Sequence, residues 1–243
     1  MELTDIIMNS ITYPTKNIKA LAIYLLLGII VGVVIIATGA SAAAASVLTG
    51  AKHSINGAGI IVLIIGLVIL FALSCLIEGY GLDIIKLGIR RSEDAPGIEF
   101  ERQVSNGLKN VIVCIVYMIV PTIITILLSW VFRGWVTYLI ALILYVVFAF
   151  ALTMAQCRLA ETDDLSYALN IQGAINDFQM IGMSKVFITI IAVFLVAFVI
   201  TFIVMGVFSL FGSRILTSMV SSLVGVYLVF YLNRAIGLLY SDK

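Results

Sequence analysis

Read along its length, the chain alternates long apolar runs with short polar segments. The apolar runs lie at about 20–40, 58–77, 110–132, 135–156, 186–208 and 216–239. Each is long enough for one helical crossing of a hydrocarbon core ~30 Å thick. The pattern predicts an all-α, polytopic membrane bundle: six transmembrane helices plus amphipathic interfacial helices, forming a single integral membrane domain over 1–243. At Met1–Thr12, Leu3, Ile6, Ile7 and Ile11 share one face and Asp5 and Asn9 the other, as in a helix lying in the interface. Pro14 then suits the first turn of a new helix. A second interfacial helix is expected over 163–181, with Asp163 as its N-cap and Ala168, Ile171, Ile175 and Phe178 on its apolar face. The charged cytoplasmic loop 78–109 begins as a continuation of span two through Arg91 and then runs through a polar stretch, Ser92–Gln103, with Pro96 and Gly97 as breakers.

Each pair of spans is preceded by a polar segment ending in a lysine, at Lys19, Lys109 and Lys185, which suggests three repeated units of interfacial helix plus hairpin. Independent juxtamembrane lysines explain the same spacing. Small residues at Gly28/Gly32, Ser218/Ser222 and Ser221/Gly225 mark helix faces suited to close contact or self-association.

Composition sharpens this picture. Of 243 residues, 63% are hydrophobic and 11% charged, against roughly 45–50% and about 25% in soluble domains. The solvent for most of the chain is therefore lipid. The net charge of +1 leaves no basic surface for nucleic acid. The first apolar run is too long for a signal-peptide core, which spans roughly 7–15 residues, and is read as a retained helix. With six spans, Lys16, Lys19, Lys86, Arg90, Arg91, Arg102, Lys109, Arg158, Lys185, Arg234 and Lys243 share one side, and Lys52, Arg133 and Arg214 the other. The imbalance places both termini in the cytoplasm of a multi-pass cell-membrane protein. All the acidic residues fall on the cytoplasmic side too. Cys75, Cys114 and Cys157 are dispersed near span ends, and His53 stands alone on the opposite side, so neither a metal nor another cofactor is expected.

Candidate chemistry collects where charge does. Between Glu78 and Lys109 lie five of the fourteen Lys/Arg and six of the thirteen Asp/Glu. Glu78 closes span two, where an ionisable group is costly unless it pairs or reaches interfacial water. Asp83 and Lys86 stand at i, i+3 and can pair on one helix face. Lys86, Arg90 and Arg91 suit anionic headgroups or simple anchoring. Pro121 removes the hydrogen bond to the carbonyl of Tyr117 in mid-span, and Thr122, Thr125 and Ser129 follow it as replacement partners. No nucleophile–base, phosphate-loop or metalloprotease motif occurs, and no catalytic residue is assigned.

Gly79-Tyr80 at the end of a span, the basic residues after it, Pro96, Phe100, Gly107-Leu108-Lys109, and Tyr117 with Pro121 resemble an uncharacterised "domain of unknown function" family of polytopic membrane proteins common in archaea. That family more often carries a Leu-Pro and an acidic-Trp pattern in this loop; here Ala95-Pro96 and Glu99-Phe100-Glu101-Arg102 stand instead. The layout also resembles the membrane domain attached to some bacterial glycerophosphodiester phosphodiesterases. The resemblance implies a fold and a membrane location, with Tyr80 among the motif positions, and no activity.

Three function classes follow. A non-enzymatic scaffold or assembly partner, contacting membrane lipids and another membrane protein, agrees best with interfacial helices and an absence of catalytic groups. A transporter or channel for a small or amphiphilic molecule predicts a polar cavity reaching the bilayer midplane, lined by Thr122, Thr125 or Tyr227. A lipid-modifying enzyme requires polar groups clustered at the cytoplasmic interface.

Overall fold

The computed structural model describes residues 1–48, 57–132 and 134–243. Residues 49–56 in the link between the first two spans, with Lys52 and His53, and Arg133 in the short link between spans three and four lie outside the described residues, as do the side chains of Ser218 and Arg214. Among the described residues the chain forms nine helices and no strand: α1 Leu3–Lys16, α2 Ile18–Leu48, α3 Gly57–Ile89, α4 Phe100–Val131, α5 Trp135–Thr162, α6 Leu165–Ala168, α7 Ile171–Ile181, α8 Met183–Ser209 and α9 Arg214–Tyr240. Six of them, α2, α3, α4, α5, α8 and α9, are long and apolar enough to cross a membrane.

The bundle is apolar outside and polar inside at one end. Only 17% of the most apolar window of α3 is buried, and the same holds for α4 and α5. Leu26, Ile64, Leu127, Leu142, Phe198 and Phe202 point outward. The fully buried side chains include Arg234 and six tyrosines. A soluble protein inverts this arrangement; lipid rewards it, because outward apolar groups cost nothing there while polar groups need protein partners.

Helix α3 is the hub, packed against α2, α4, α5 and α9. Two backbone-to-backbone crossings set its position. At the first, Gly79 of α3 faces the backbone of Gln103 and Gly107 of α4 faces that of Cys75, so closely that a methyl group on either glycine would overlap a carbonyl oxygen. At the second, Gly88 and Gly237 of α9 meet in the same way. Near the first crossing, Tyr24 stacks on Tyr80 with ring centroids 4.0 Å apart, and Phe230 packs beside them at 5.3 Å from Tyr80.

Several polar segments fold differently from expectation. Helix α1 docks on α9 through buried Ile6, Ser10 and Tyr13, and Pro14 falls inside its last turn rather than opening a new helix. Asn9, read as part of an outward polar face, accepts from the Arg234 guanidinium at 2.9 Å. Burial pushes the Tyr13 phenol up to about 12, so it stays protonated and donates to the Asp94 carbonyl at 2.9 Å. In the stretch 78–109, α3 continues through the charged residues to Ile89, as expected, but α4 already starts at Phe100, inside the expected polar stretch Ser92–Gln103. The middle pair of spans therefore has no separate interfacial helix before it, unlike the first and third. Asp163 is not an N-cap; it ends α5 in a left-handed conformation, φ 57°. Asp164 caps α6 and Asn170 caps α7, each accepting from a backbone N–H of the following turn. The segment 163–181 is thus two helices, and Gly182, φ 103°, turns α7 into α8.

These segments and both termini meet at one charged end of the bundle. Lys16 pairs with Glu93 at 2.9 Å, Arg91 with Asp242 at 2.8 Å, Lys185 with Asp242 at 2.9 Å, and Arg158 with Asp177 at 2.8 Å.

Candidate functional site

Helices α5 and α8 flank a cleft rather than packing along their length, and α9 forms its back wall. Near one edge the rings of Phe150 and Phe187 stack, 5.3 Å between centroids. The cleft has a volume of about 550 Å³, within the ~300–1,000 Å³ of small-molecule sites. Its walls are apolar: Val146, Ala149 and Phe150 from α5, Ile190, Ile191 and Phe194 from α8, and Val229 and Ile236 from α9. Val146 and Gln156 are ten residues apart on α5, so the cleft extends ~15 Å along the helix axis, away from the charged end.

The polar groups gather at the charged end of this cleft. Glu78 reaches it from α3, Gln156 and Thr153 from α5, and Asn233 from α9. Behind Glu78, the Asn110 amide donates to Oε2 at 3.3 Å, and Gln156 donates to the Asn110 carbonyl oxygen at 3.1 Å. Asn233 donates to the Val229 carbonyl of its own helix at 2.8 Å. The Glu78 side chain is exposed to the cleft, and among the described residues it forms no ion pair. From Gly57 to Ile77, α3 runs ~30 Å, the thickness of the hydrocarbon core, which places Glu78 at its edge. A lone carboxyl there, backed by an amide relay, is a polar anchor at the mouth of an apolar slot.

The other expected residues belong to the packing of the charged end. Tyr80 is buried in the aromatic stack, and its hydroxyl approaches the Pro96 carbonyl at 3.5 Å. Asp83 does not pair with Lys86. It is buried and faces Arg102 at 3.2 Å and Gln103 at 3.4 Å, while Tyr24 donates to Gln103 at 2.7 Å. Lys86 instead reaches Asp163. The reason is register: α4 starts early enough to bring Arg102 over Asp83. Arg90 is exposed at the end of α3, and Arg91 donates to Ser241 at 3.0 Å and to Asp242 at 2.8 Å. Pro121 is buried within a continuous α4. Thr122 donates to the Met118 carbonyl at 2.7 Å and lies 2.8 Å from the Tyr145 hydroxyl. Thr122, Thr125 and Tyr227 do not line the cleft, contrary to expectation; Tyr227 donates to the Ile11 carbonyl and ties down α1.

Asn110, Gln156 and Asn233 were not anticipated. Two of them fell at expected span ends and read as boundary markers. Their signal was their residue type: amides beside long apolar runs need partners. A second unanticipated group is a buried charge cluster. The Asp177 carboxylate accepts from Arg158 at 2.8 Å and Tyr240 at 2.7 Å and pairs with Lys243 at 2.9 Å. Arg158 also donates to the Tyr167 carbonyl at 3.0 Å. Asp177 lies off the apolar face expected for its helix, yet it is 4% exposed.

Burial alone would raise the Asp177 pKa, but the hydrogen bonds from Lys243, Tyr240 and Arg158 outweigh it and hold the carboxyl below the ordinary 3.8. Asp242 is held below 3.8 in the same way: burial is overcome by Lys185 and the Met1 amino group. Both folded values lie under the unfolded one, so the stability they confer is complete above ~pH 5 and is lost as pH falls through the folded values. The expected result is a Tm in detergent that holds between pH 7 and 5 and drops below about pH 4. In Asp177→Asn the acid-side drop should shrink.

A family model described as a protein of unknown function (DUF4013) matches residues 62–209, more than half of the chain, and the chain belongs to that family. The match takes in Glu78, Asn110 and Gln156 together with the motif positions between 79 and 121. No curated protein and no solved structure matches the chain.

Proposed function

We propose that this DUF4013 protein is a non-enzymatic, multi-pass cell-membrane protein that takes an amphiphilic molecule from the bilayer into the cleft between α5, α8 and α9. One observation carries the reading: an apolar slot of about 550 Å³ has its polar groups at the membrane-edge end only. An amphiphile has the same polarity, and entering sideways leaves its headgroup at the interface and its chain in hydrocarbon. Val146, Ala149, Ile191 and Phe194 are exposed along the opening, so no soluble route is required. The excess of Lys and Arg at the charged end supports a cytoplasmic placement of both termini.

The test is native mass spectrometry of the protein extracted gently from its own membranes, beside Ala149→Trp, which fills the slot. A defined amphiphile retained by wild type, with occupancy reduced about tenfold or more in the variant, is the expected result. Bare protein in both samples overturns the reading.

A scaffold or assembly role is the second reading. It is favoured by the charged end, where ion pairs tie the N-terminus, α5, α7, α8 and the last residues into one platform. A stoichiometric protein partner in the same spectra would favour it over the cleft.

A further inference from the structure

We propose that the cleft selects an amphiphile with a single cationic headgroup, whose ammonium sits against Glu78. This rests on the cleft reading and adds the ligand's charge. Glu78 is the carboxylate that faces the cleft, and no cation pairs with it among the described residues. Around it, Arg102 is engaged with Asp83, Lys86 with Asp163, Arg158 with Asp177, and Lys185 with Asp242. Lys109, one residue from the Asn110 that holds Glu78, turns away to the Asp163 carbonyl at 3.1 Å. Arg234, next to Asn233, donates to Asn9 and to the Ser92 carbonyl.

What remains at the mouth of the cleft is one carboxyl, with Oε2 held by Asn110 and Oε1 without a protein partner among the described residues. An anionic headgroup would meet like charge there and gain no guanidinium or ammonium in return. A neutral headgroup would leave a carboxylate at the hydrocarbon edge without a counter-charge, which is costly. A primary ammonium supplies both the missing charge and a donor for Oε1, and charge-assisted hydrogen bonds of this kind are about twice as strong as neutral ones. The Asn110–Gln156 relay fixes the carboxyl plane beforehand, so little ordering is left for binding. The alkyl chain then lies along Ala149, Val146, Ile190 and Phe194.

The experiment uses the full chain in nanodiscs of zwitterionic lipid and three probes with the same chain: dodecylammonium, dodecanol and laurate. Binding is measured by competition against a hydrophobic fluorophore that Ala149→Trp excludes. Dodecylammonium should bind wild type roughly tenfold or more tightly than dodecanol, with laurate weakest. Glu78→Gln should erase the preference while dodecanol binding that Ala149→Trp abolishes persists, and Glu78→Asp should restore part of it. Equal binding of amine and alcohol, unaffected by Glu78→Gln but lost in Ala149→Trp, overturns the charge selection and leaves the cleft reading standing. Failure of all three probes to bind wild type above the Ala149→Trp level overturns both.

Discussion

Gly107→Ala is expected to destabilise the folded bundle by about 3 kcal/mol, the upper end of overpacking costs, even though alanine is the better helix former by ~1 kcal/mol. The added methyl would overlap the Cys75 carbonyl. A backbone oxygen in a helix cannot swing aside as a side chain can, so α3 and α4 must separate along the whole crossing. Gly79→Ala should cost a similar amount, because its methyl meets the Gln103 carbonyl. The two losses should be less than additive, since one separation relieves both overlaps. Gly39 and Gly206 have nothing within 4 Å of an added methyl, and their alanine variants should be neutral or stabilising by up to ~1 kcal/mol. Reversible unfolding in mixed micelles measures all four. A neutral Gly107→Ala would mean that the crossing does not hold the bundle together. The effect matters for the cleft as well, because Glu78 precedes Gly79 and Asn110 follows Gly107 by one turn, so opening the crossing pulls the hydrogen bond between them apart.

Asp177→Asn should cost about 3 kcal/mol or more, within the range for stranding one partner of a buried ion pair. Arg158 and Asp177 are 3% and 4% exposed, so removing the carboxylate leaves the guanidinium with the Tyr167 carbonyl and no counter-ion. Tyr240 and Lys243 lose a partner in the same step. Asparagine keeps the shape and one acceptor, which separates the loss of charge from the loss of packing. Replacing both members with apolar residues, as in Arg158→Met with Asp177→Leu, should recover much of the loss, because desolvating the pair offsets most of its attraction. Unfolding of the two single variants and the double variant forms a cycle; additive losses would show that the pair is not coupled. If α7 peels away in Asp177→Asn, limited proteolysis between Ala168 and Gly182 should accelerate.

The charged stretch that dominates the sequence turned out to divide by function. Asp83, Lys86 and Arg91 tie the end of α3 to α4, to the end of α5 and to the residues after α9, and Tyr80 packs beside them, whereas Glu78 alone of the group faces the cleft. Nothing in the spacing of these residues distinguishes them, because the decision lies in partners distant in sequence: Arg102 and Gln103 for Asp83, Asp163 for Lys86, Ser241 and Asp242 for Arg91. The amides that complete the cleft come from α4, α5 and α9, and none stands near another in the chain. Their presence beside apolar runs was visible, but their convergence was not.

Hydropathy along the chain is enough to establish the solvent and the architecture. Six runs of lipid-compatible length, interrupted by charge, leave helices as the way to satisfy every backbone group, and the motif residues from Gly79 to Pro121 pointed to a domain-of-unknown-function family, in agreement with the family match. Hydrophobic length is a local property, so a local reading recovers it. Packing between helices settles which polar residues are spent on contacts and that Glu78 is left facing the cleft. That outcome depends on the register between helices, set by glycine crossings at Gly79–Gly107 and Gly88–Gly237, and on where α4 begins. Shifting α4 by one residue would turn Arg102 about 100° away from Asp83. Ion pairing at the buried end is a sum over elements far apart in the chain, and it leaves the cleft-facing carboxyl of Glu78 without a cation among the described residues.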